Sequence, residues 1–288
     1  MKKYLQQLIS DAETGNRLVD GEFISERRIA TYKLVEKITP EIAPGPESKA
    51  RLEKLFVSWR KRGLKDSTIK VYSEVLHMVP GDYAFPELKV AEKEPQHIPV
   101  EIAERILVDP LPEWANTPAL RACWTATKLS ISCVLRPGDS LSITKDNIAG
   151  NIILCRHQKR RRIVRGSLPQ SVAKHIANEI RDLGDVYPIE FTRLGLGYRK
   201  AQFTAFVKRL LDHYGIADDV VFDTADGKVK KLRLGDVITA HSLRASAVAV
   251  LKARNVPTCD IKAVGGWSQR SVIFARHYEK PNVENIWK

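Results

Sequence analysis

Tyr278 stands ten residues before the last residue of the chain, inside the stretch GGWSQRSVIFARHYEKP from Gly265 to Pro281. It is either a surface aromatic on the last helix or a nucleophile. An unperturbed phenol has a pKa near 10 and reacts poorly at neutral pH, so a nucleophilic role needs cations and a base around it. Upstream, in ITAHSLRASAVAVLKARNV, His241 and Arg244 are three residues apart. On a helix they project from one side together, while Leu243, Ala247, Val250 and Leu251 can face the core. A helix starting near Thr239 or Ala240 puts both in its first turn, where unpaired backbone N–H groups and the dipole favour a phosphate. Taken alone, a solvated polar face is the simpler account of such a pair.

The elements that would position these groups begin from an ordinary globular composition. The chain has 288 residues, 43% of them hydrophobic, which is enough to bury the core of one large or two modest domains. Forty-seven Lys and Arg against thirty-four Asp and Glu give a formal charge of +13, which favours a polyanionic partner. Nucleic acid comes first and an anionic membrane surface second. Gln6, Gln7, Asp11 and Glu13 interrupt the opening before a signal-peptide core can form, and no window approaches the roughly 18 apolar residues of a spanning helix. Cys123, Cys133, Cys155 and Cys259 are irregularly spaced, which predicts reduced thiols in a cytoplasmic protein, with neither a metal site nor a disulfide framework.

The patterning predicts a mainly α protein with a small antiparallel β-sheet, an α+β fold in two domains. Residues 1–90 read as helical. SERRIATYKLVEKI has Ser25 as its cap and Ile29, Tyr32, Leu34 and Val35 near one face; the segment after Ser48 carries Leu52, Leu55, Phe56 and Trp59 and stops at Gly63; and Asp66 or Ser67 caps a stripe of Ile69, Tyr72, Val75 and Leu76. Residues 1–40 are either an extra helical pair or an arm. The polar, proline-bearing stretch over 91–98 reads as a linker, and 99–288 as the second domain. There, Thr117-Pro118 opens a helix with Leu120, Cys123, Trp124 and Leu129 on its buried side, which must stop before Pro137. β-Branched runs broken at Gly150-Asn151 and again at 158–161 predict two hairpins in a three-stranded sheet. Helices follow with Val172, Ile176, Ile180 and Leu183 before Gly184, and with Phe203, Phe206, Val207, Leu210 and Leu211 before Gly215.

Read in order, Arg136 in LRPGDSL, the basic RHQKRRR, His241-x-x-Arg244, Gly265-Gly266-Trp267 and Tyr278 resemble the tyrosine recombinases, the phage-type integrases and Cre- or Xer-like enzymes, over Ile98 to Tyr278. LEKLFVSWRKRGLKDSTIKVYSEVL resembles, more weakly, that family's helical core-binding domain. The resemblance implies that 1–90 bind DNA and that 99–288 form the breaking and rejoining domain. It implies Arg136 and Arg244 as phosphate-holding guanidiniums, His241 as a hydrogen-bond donor or proton-transfer group, Trp267 as an indole donor, and Tyr278 as the nucleophile. Asp139 matches an acidic residue that buttresses the arginine and histidine. Lys159 matches the general acid for the departing 5′-oxygen, although alignment on the following strand selects His157 or Arg156. Lys159, Arg160, Arg161 and Arg162 also suit plain contacts to backbone phosphates.

Some features depart from the family's pattern. Trp267 and Tyr278 are eleven residues apart, longer than usual, and EKPNVENIWK is short for a helix docking on a neighbouring subunit, although Trp287 could anchor it in trans. Tyr198 and Tyr214 precede the His-x-x-Arg pair and so fail the order, and His277 is incidental.

The resemblance implies a site-specific recombinase or integrase that forms a 3′-phosphotyrosyl intermediate without cofactor or metal. Its partners would be double-stranded DNA with an inverted-repeat core site, three further copies in a homo-tetramer, and accessory DNA-bending proteins, with no membrane. Its place would be the cytoplasm, at the nucleoid when bound to DNA. A non-catalytic DNA-binding or excision-regulating protein of the same fold, and a type IB topoisomerase or telomere resolvase, are the alternatives.

Overall fold

The computed structural model describes residues 1–14, 18–19, 22–88, 96–156, 163–223 and 230–279. The chain divides into two compact units, Met1–Glu92 and Lys93–Lys288.

The first unit opens with α1 (Lys2–Glu13), a short antiparallel pair β1 (Leu18–Val19) and β2 (Glu22–Phe23), and α2 (Glu26–Ile38). It continues with α3 (Ser48–Lys61) and α4 (Asp66–Leu76). Leu5, Leu8 and Ala12 of α1 share one core with Tyr32, Val35, Leu52, Phe56, Trp59 and Ile69. Residues 1–40 are therefore an integral helical pair of this unit, because α1 without that core would leave its apolar stripe in water. Two expectations shift here. Leu34 lies outside the core at 44% exposure, and Lys65, ahead of Asp66 and Ser67, is the residue at the N-cap of α4. Gly63 takes a positive φ of 84° just past α3, a conformation that ends the helix at little cost only for glycine.

The second unit is built around α6 (Pro118–Cys133), preceded by α5 (Val100–Val108). Thr117 caps α6 by accepting from the Leu120 N–H, with Pro118 at the first helical position. Trp124, Ala126 and Leu129 of α6 are fully buried in the core that also takes Ile106, Val172, Phe203, Phe206 and Leu243. A short α7 (Pro137–Ser140) leads to the antiparallel sheet β3 (Ile148–Ala149), β4 (Ile152–Arg156) and β5 (Ile163–Ser167), in which Cys155 faces Val164 and Arg156 faces Ile163. The alternation of buried Ile153 and Cys155 with exposed Leu154 and Arg156 follows from the period of two of a strand with one face on the core.

Next come α8 (Gln170–Leu183), α9 (Ile189–Thr192) and α10 (Leu196–His213). Leu183, expected inside, is 37% exposed at the end of α8. The hairpin β6 (Val220–Asp223) and β7 (Lys230–Arg233), absent from the sequence expectations, precedes α11 (Leu234–Val237), α12 (Ser242–Ala253), α13 (Thr258–Val264) and α14 (Val272–Tyr278). A separate small cluster of Val134, Ala247, Val248, Ile261, Trp267 and Phe274 joins the last three helices to the end of α6. It forms the support on which the candidate site stands.

Candidate functional site

The site begins where α6 stops. Val134 follows Cys133 in the left-handed region, φ 55° and ψ 32°, which is unfavourable for a β-branched residue and persists because the surrounding packing fixes it. The turn sends Arg136 to the start of α7 and leaves the Val134 carbonyl aimed at Arg244. Arg136 lies 3.6 Å from Asp139, which is 3% exposed, so the two form an ion pair one turn apart.

Arg244 sits one turn into α12 and is only 2% exposed. Its Nη1 donates to the Val134 carbonyl at 2.7 Å and its Nη2 to the Gly265 carbonyl at 2.6 Å. Its guanidinium lies 3.8 Å from the centre of the Trp267 ring, a cation–π contact that is strengthened by the loss of water. The expectation that His241 and Arg244 point outward together fails. Helix α12 starts at Ser242, leaving His241 exposed at the N-cap, while Arg244 turns inward beneath the carbonyls.

Trp267 is placed by its glycines. Helix α13 ends with the Trp267 N–H donating to the Lys262 carbonyl at 2.8 Å and the Gly266 N–H to the Ala263 carbonyl at 3.0 Å, a left-handed cap in which Gly266 has φ 67°. A Cβ at Gly265 would fall 1.9 Å from the indole ring, so only glycine lets the tryptophan fold back over its own turn. The indole face thus carries Arg244, and its ring meets Phe274 and Tyr278 edge-on, with centroids 5.0 and 5.3 Å away.

Tyr278 closes the arrangement from α14, whose N-cap Ser271 accepts from the Phe274 N–H at 3.2 Å. The phenol ring packs on the indole whose face carries Arg244, and its oxygen lies in the field of the Arg244 and Arg136 guanidiniums. Burial pushes the phenol pKa up, and Arg244 and Arg136 pull it back only in part. Arg244 feels the reverse: burial and the neighbouring Arg136 pull its pKa down, while Tyr278 and Asp139 hold it up. The site thus sets two neighbouring guanidiniums, one of them dry, against the single carboxylate of Asp139.

The structure therefore brings together Arg136, Asp139, Arg244, Trp267 and Tyr278, with His241 at the head of the helix that carries Arg244. Lys159, Arg160, Arg161 and Arg162 lie outside the described residues. Sequence reasoning missed Lys252 and Lys262. Lys252 Nζ donates to the Tyr278 carbonyl, and Lys262 Nζ is 2.7 Å from Glu279 Oε1. Their only trace in the sequence is an acidic residue directly after Tyr278, too common a pattern to single out. Among the described residues, no group of three or more His, Cys, Asp or Glu is placed to hold a metal ion, and no helix is long and apolar enough to cross a membrane.

No family model matches the chain, and no curated protein matches it in sequence. Solved structures do match in fold. A lambda integrase (residues 75–356) dimer bound to a COC′ core site aligns with a TM-score of 0.65 at 13% identity, covering 98% of this chain and 96% of that one. The Tn1549 transposon integrase in complex with transposon right-end DNA aligns at 0.60 and 11% identity, covering 95% and 97%. The XerH site-specific recombinase bound to a palindromic difH substrate aligns at 0.57 and 15%, covering 100% and 85%.

Proposed function

We propose that this chain, which has the fold of the tyrosine recombinases, is a site-specific DNA recombinase that cuts and rejoins strands through a 3′-phosphotyrosyl intermediate. One observation carries the reading: Tyr278 packs against the same indole that carries the buried Arg244 guanidinium of its own subunit, in the field of that cation and of Arg136.

Attack on a phosphodiester builds extra negative charge on the nonbridging oxygens, and fixed cations in a dry site stabilise that charge strongly. Arg136 and Arg244 would hold those oxygens, since a guanidinium stays charged and offers a planar fork of donors. Asp139 would keep Arg136 oriented and offset the repulsion between the two arginines. Trp267 would hold Arg244 in place from beneath, and His241 would donate to the phosphate or assist transfer of the phenol proton. The Tyr278 oxygen forms a bond to phosphorus as the bond to the 5′-oxygen breaks, and that oxygen leaves as a hydroxyl after taking a proton from Lys159 or a neighbour in RHQKRRR. Arg160, Arg161 and Arg162 would contact the DNA backbone. Attack by the 5′-hydroxyl of another strand reverses the step, so the bond energy is conserved and no nucleotide cofactor is consumed. The fold shared with the lambda, Tn1549 and XerH proteins supports residues 1–90 and 99–288 as two DNA-clamping domains joined by 91–98. On this reading the protein would work as a tetramer on paired inverted-repeat sites in the nucleoid, with accessory bending proteins where the site requires them.

The test is a suicide substrate: nicked duplexes carrying inverted repeats from beside the gene, incubated with protein and run on a denaturing gel. A covalent DNA–protein adduct is expected from the wild type and none from Tyr278→Phe. Tight binding without any adduct would favour the non-catalytic reading, and relaxation of supercoils without a defined site would favour a topoisomerase.

A further inference from the structure

The helix that carries Tyr278 has seven residues, too few to hold itself together in water. Its start is anchored by Ser271 and by Phe274, which is fully buried. Val272 and Ile273 beside it are more than half exposed and contribute little grip. Its end lies at the reacting group, where the last carbonyls of a helix lack partners and the dipole favours a cation. Two lysines meet there from different helices. Lys252 of α12 donates to the carbonyl of Tyr278 itself. Lys262 of α13 pairs with Glu279, the C-cap of α14, donates to the Gln269 carbonyl at 3.2 Å and lies 5.1 Å from the centre of the Phe274 ring. Its side chain is 11% exposed against 36% for Glu279, so the ammonium is shielded while the carboxylate stays partly in water. Glu279 also acts on Lys252, holding up an ammonium pKa that burial lowers.

We propose that Lys252 and Lys262 are positioning residues that clamp the carboxyl end of α14 and hold Tyr278 against Arg244 of its own subunit. The clamp shares its elements with the site. Arg244 and Lys252 both belong to α12, while Lys262 supplies the carbonyl that caps the turn carrying Trp267. The same two helices grip the phenol on one side and its backbone on the other. A shift of either would move the nucleophile and the phosphate-holding guanidinium together. The inference rests on the recombinase reading for its catalytic consequence but not for its geometry.

The test therefore has two arms. In single-turnover cleavage at saturating DNA, Lys262→Met and Glu279→Gln should each slow adduct formation about tenfold, the scale expected from a loosened near-attack geometry, with DNA affinity unchanged. The charge-swapped double variant Lys262→Glu/Glu279→Lys should recover most of the rate, a rescue that a general loss of folding would not show. In the second arm, 3-fluorotyrosine at position 278 is followed by fluorine NMR without DNA. Lys262→Glu should move and narrow its resonance toward that of free fluorotyrosine. A wild-type cleavage rate in Lys262→Met, or an unmoved resonance in Lys262→Glu, overturns the clamp. If the wild type forms no adduct but the resonance moves, the clamp stands and the recombinase reading falls.

Discussion

Lys128 and Arg244 are the most deeply buried cations among the described residues of the second unit, and their surroundings are built from the same parts. Lys128, 2% exposed on α6, donates to the carbonyls of Ile106, Leu107 and Asp109 at 2.8, 3.1 and 2.9 Å, and its ammonium lies 4.7 Å from the centre of the Trp124 ring. Those carbonyls are the unpaired end of α5, and an ammonium has three donors, so the group is fully spent on the scaffold. Arg244 also ties down two carbonyls and also rests on an indole, but a guanidinium has five N–H donors and it turns further capacity toward Tyr278. The second difference is charge. Beside Lys128 the acidic Asp109 partly offsets burial, which draws its pKa down to about 8, whereas beside Arg244 the acidic Asp139 is accompanied by another cation, Arg136, which adds to the effect of burial. Burial of a cation over an aromatic ring is thus no mark of function by itself. What marks the Arg244 site is donor capacity left after the scaffold is satisfied, and a second cation beside it that a single carboxylate offsets only in part.

The sharpest test of that contrast is Arg244→Lys, which keeps the charge and removes the fork. A single ammonium cannot span the Val134 and Gly265 carbonyls and still reach the phenol oxygen. Adduct formation should fall about a thousandfold, the upper range for loss of a preorganised donor in a dry site. Single-turnover gels on the suicide substrate measure this. A lysine that supports the wild-type rate would reduce Arg244 to a simple charge and erase its difference from Lys128.

The opposite profile is expected of Lys128→Met. The Leu107 carbonyl keeps the Ser171 hydroxyl at 2.9 Å, while those of Ile106 and Asp109 lose the ammonium at about 1 kcal/mol each, so a urea titration should show a loss of about 2 kcal/mol of stability. Cleavage per folded molecule should stay at the wild-type level. A slowed rate at full folding would mean that the two regions are coupled through α6, which runs from Lys128 to the strained Val134.

How far the sequence discloses these regions depends on whether local spacing or distant chain decides. The stripes Leu52-Phe56-Trp59 and Phe203-Phe206-Leu210 lie in cores as expected, because a period of 3.6 with glycine stops is written locally. So is the sheet, with its break at Gly150. The hairpin β6–β7 escapes notice because a four-residue strand that follows Asp218 and Asp219 and itself ends in Asp223 carries too little alternation to read as a strand. Leu34 and Leu183 fit their stripes and are nonetheless exposed, at 44% and 37%, since a stripe does not tell how wide its partner is. The order of Arg136, Arg244, Trp267 and Tyr278 points to one site. The spacing of His241 and Arg244 says that they share a side and not whether that side meets water. That Arg244 is dry is decided by Val134 and Gly265, 110 and 21 residues away. Lys252 and Lys262 matter only because α12 and α13 end beside Glu279, a tertiary fact with no periodic trace.

The mildest expected effect concerns His175, which separates the two regions by pH rather than by mutation. Its Nε2 lies 2.9 Å from Thr125 Oγ1 on α6, and its pKa is driven down to about 4 by burial first, then by Lys128 and Arg121. The folded protein therefore holds His175 neutral where the unfolded chain, with an imidazole near 6.5, takes up a proton. This contribution to stability is complete above pH 6.5 and is lost as pH falls from there toward 4, by about 2 kcal/mol once its partial exposure is allowed for. Urea titrations between pH 7 and 4.5 should show that decline, and His175→Gln, which cannot titrate, should remove this part of it. The hydrogen bonds of Arg244 run to the Val134 and Gly265 carbonyls, which take up no proton in this interval. With His241 and His277, whose ring lies 6.4 Å from that of Tyr278, both replaced by Gln, the fluorine resonance of a labelled Tyr278 should stay fixed over the same interval while the protein remains folded. A resonance that tracks the loss of stability would mean that protonation beside Lys128 reaches the candidate site, and the scaffold cation and the site cation would then belong to one cooperative network.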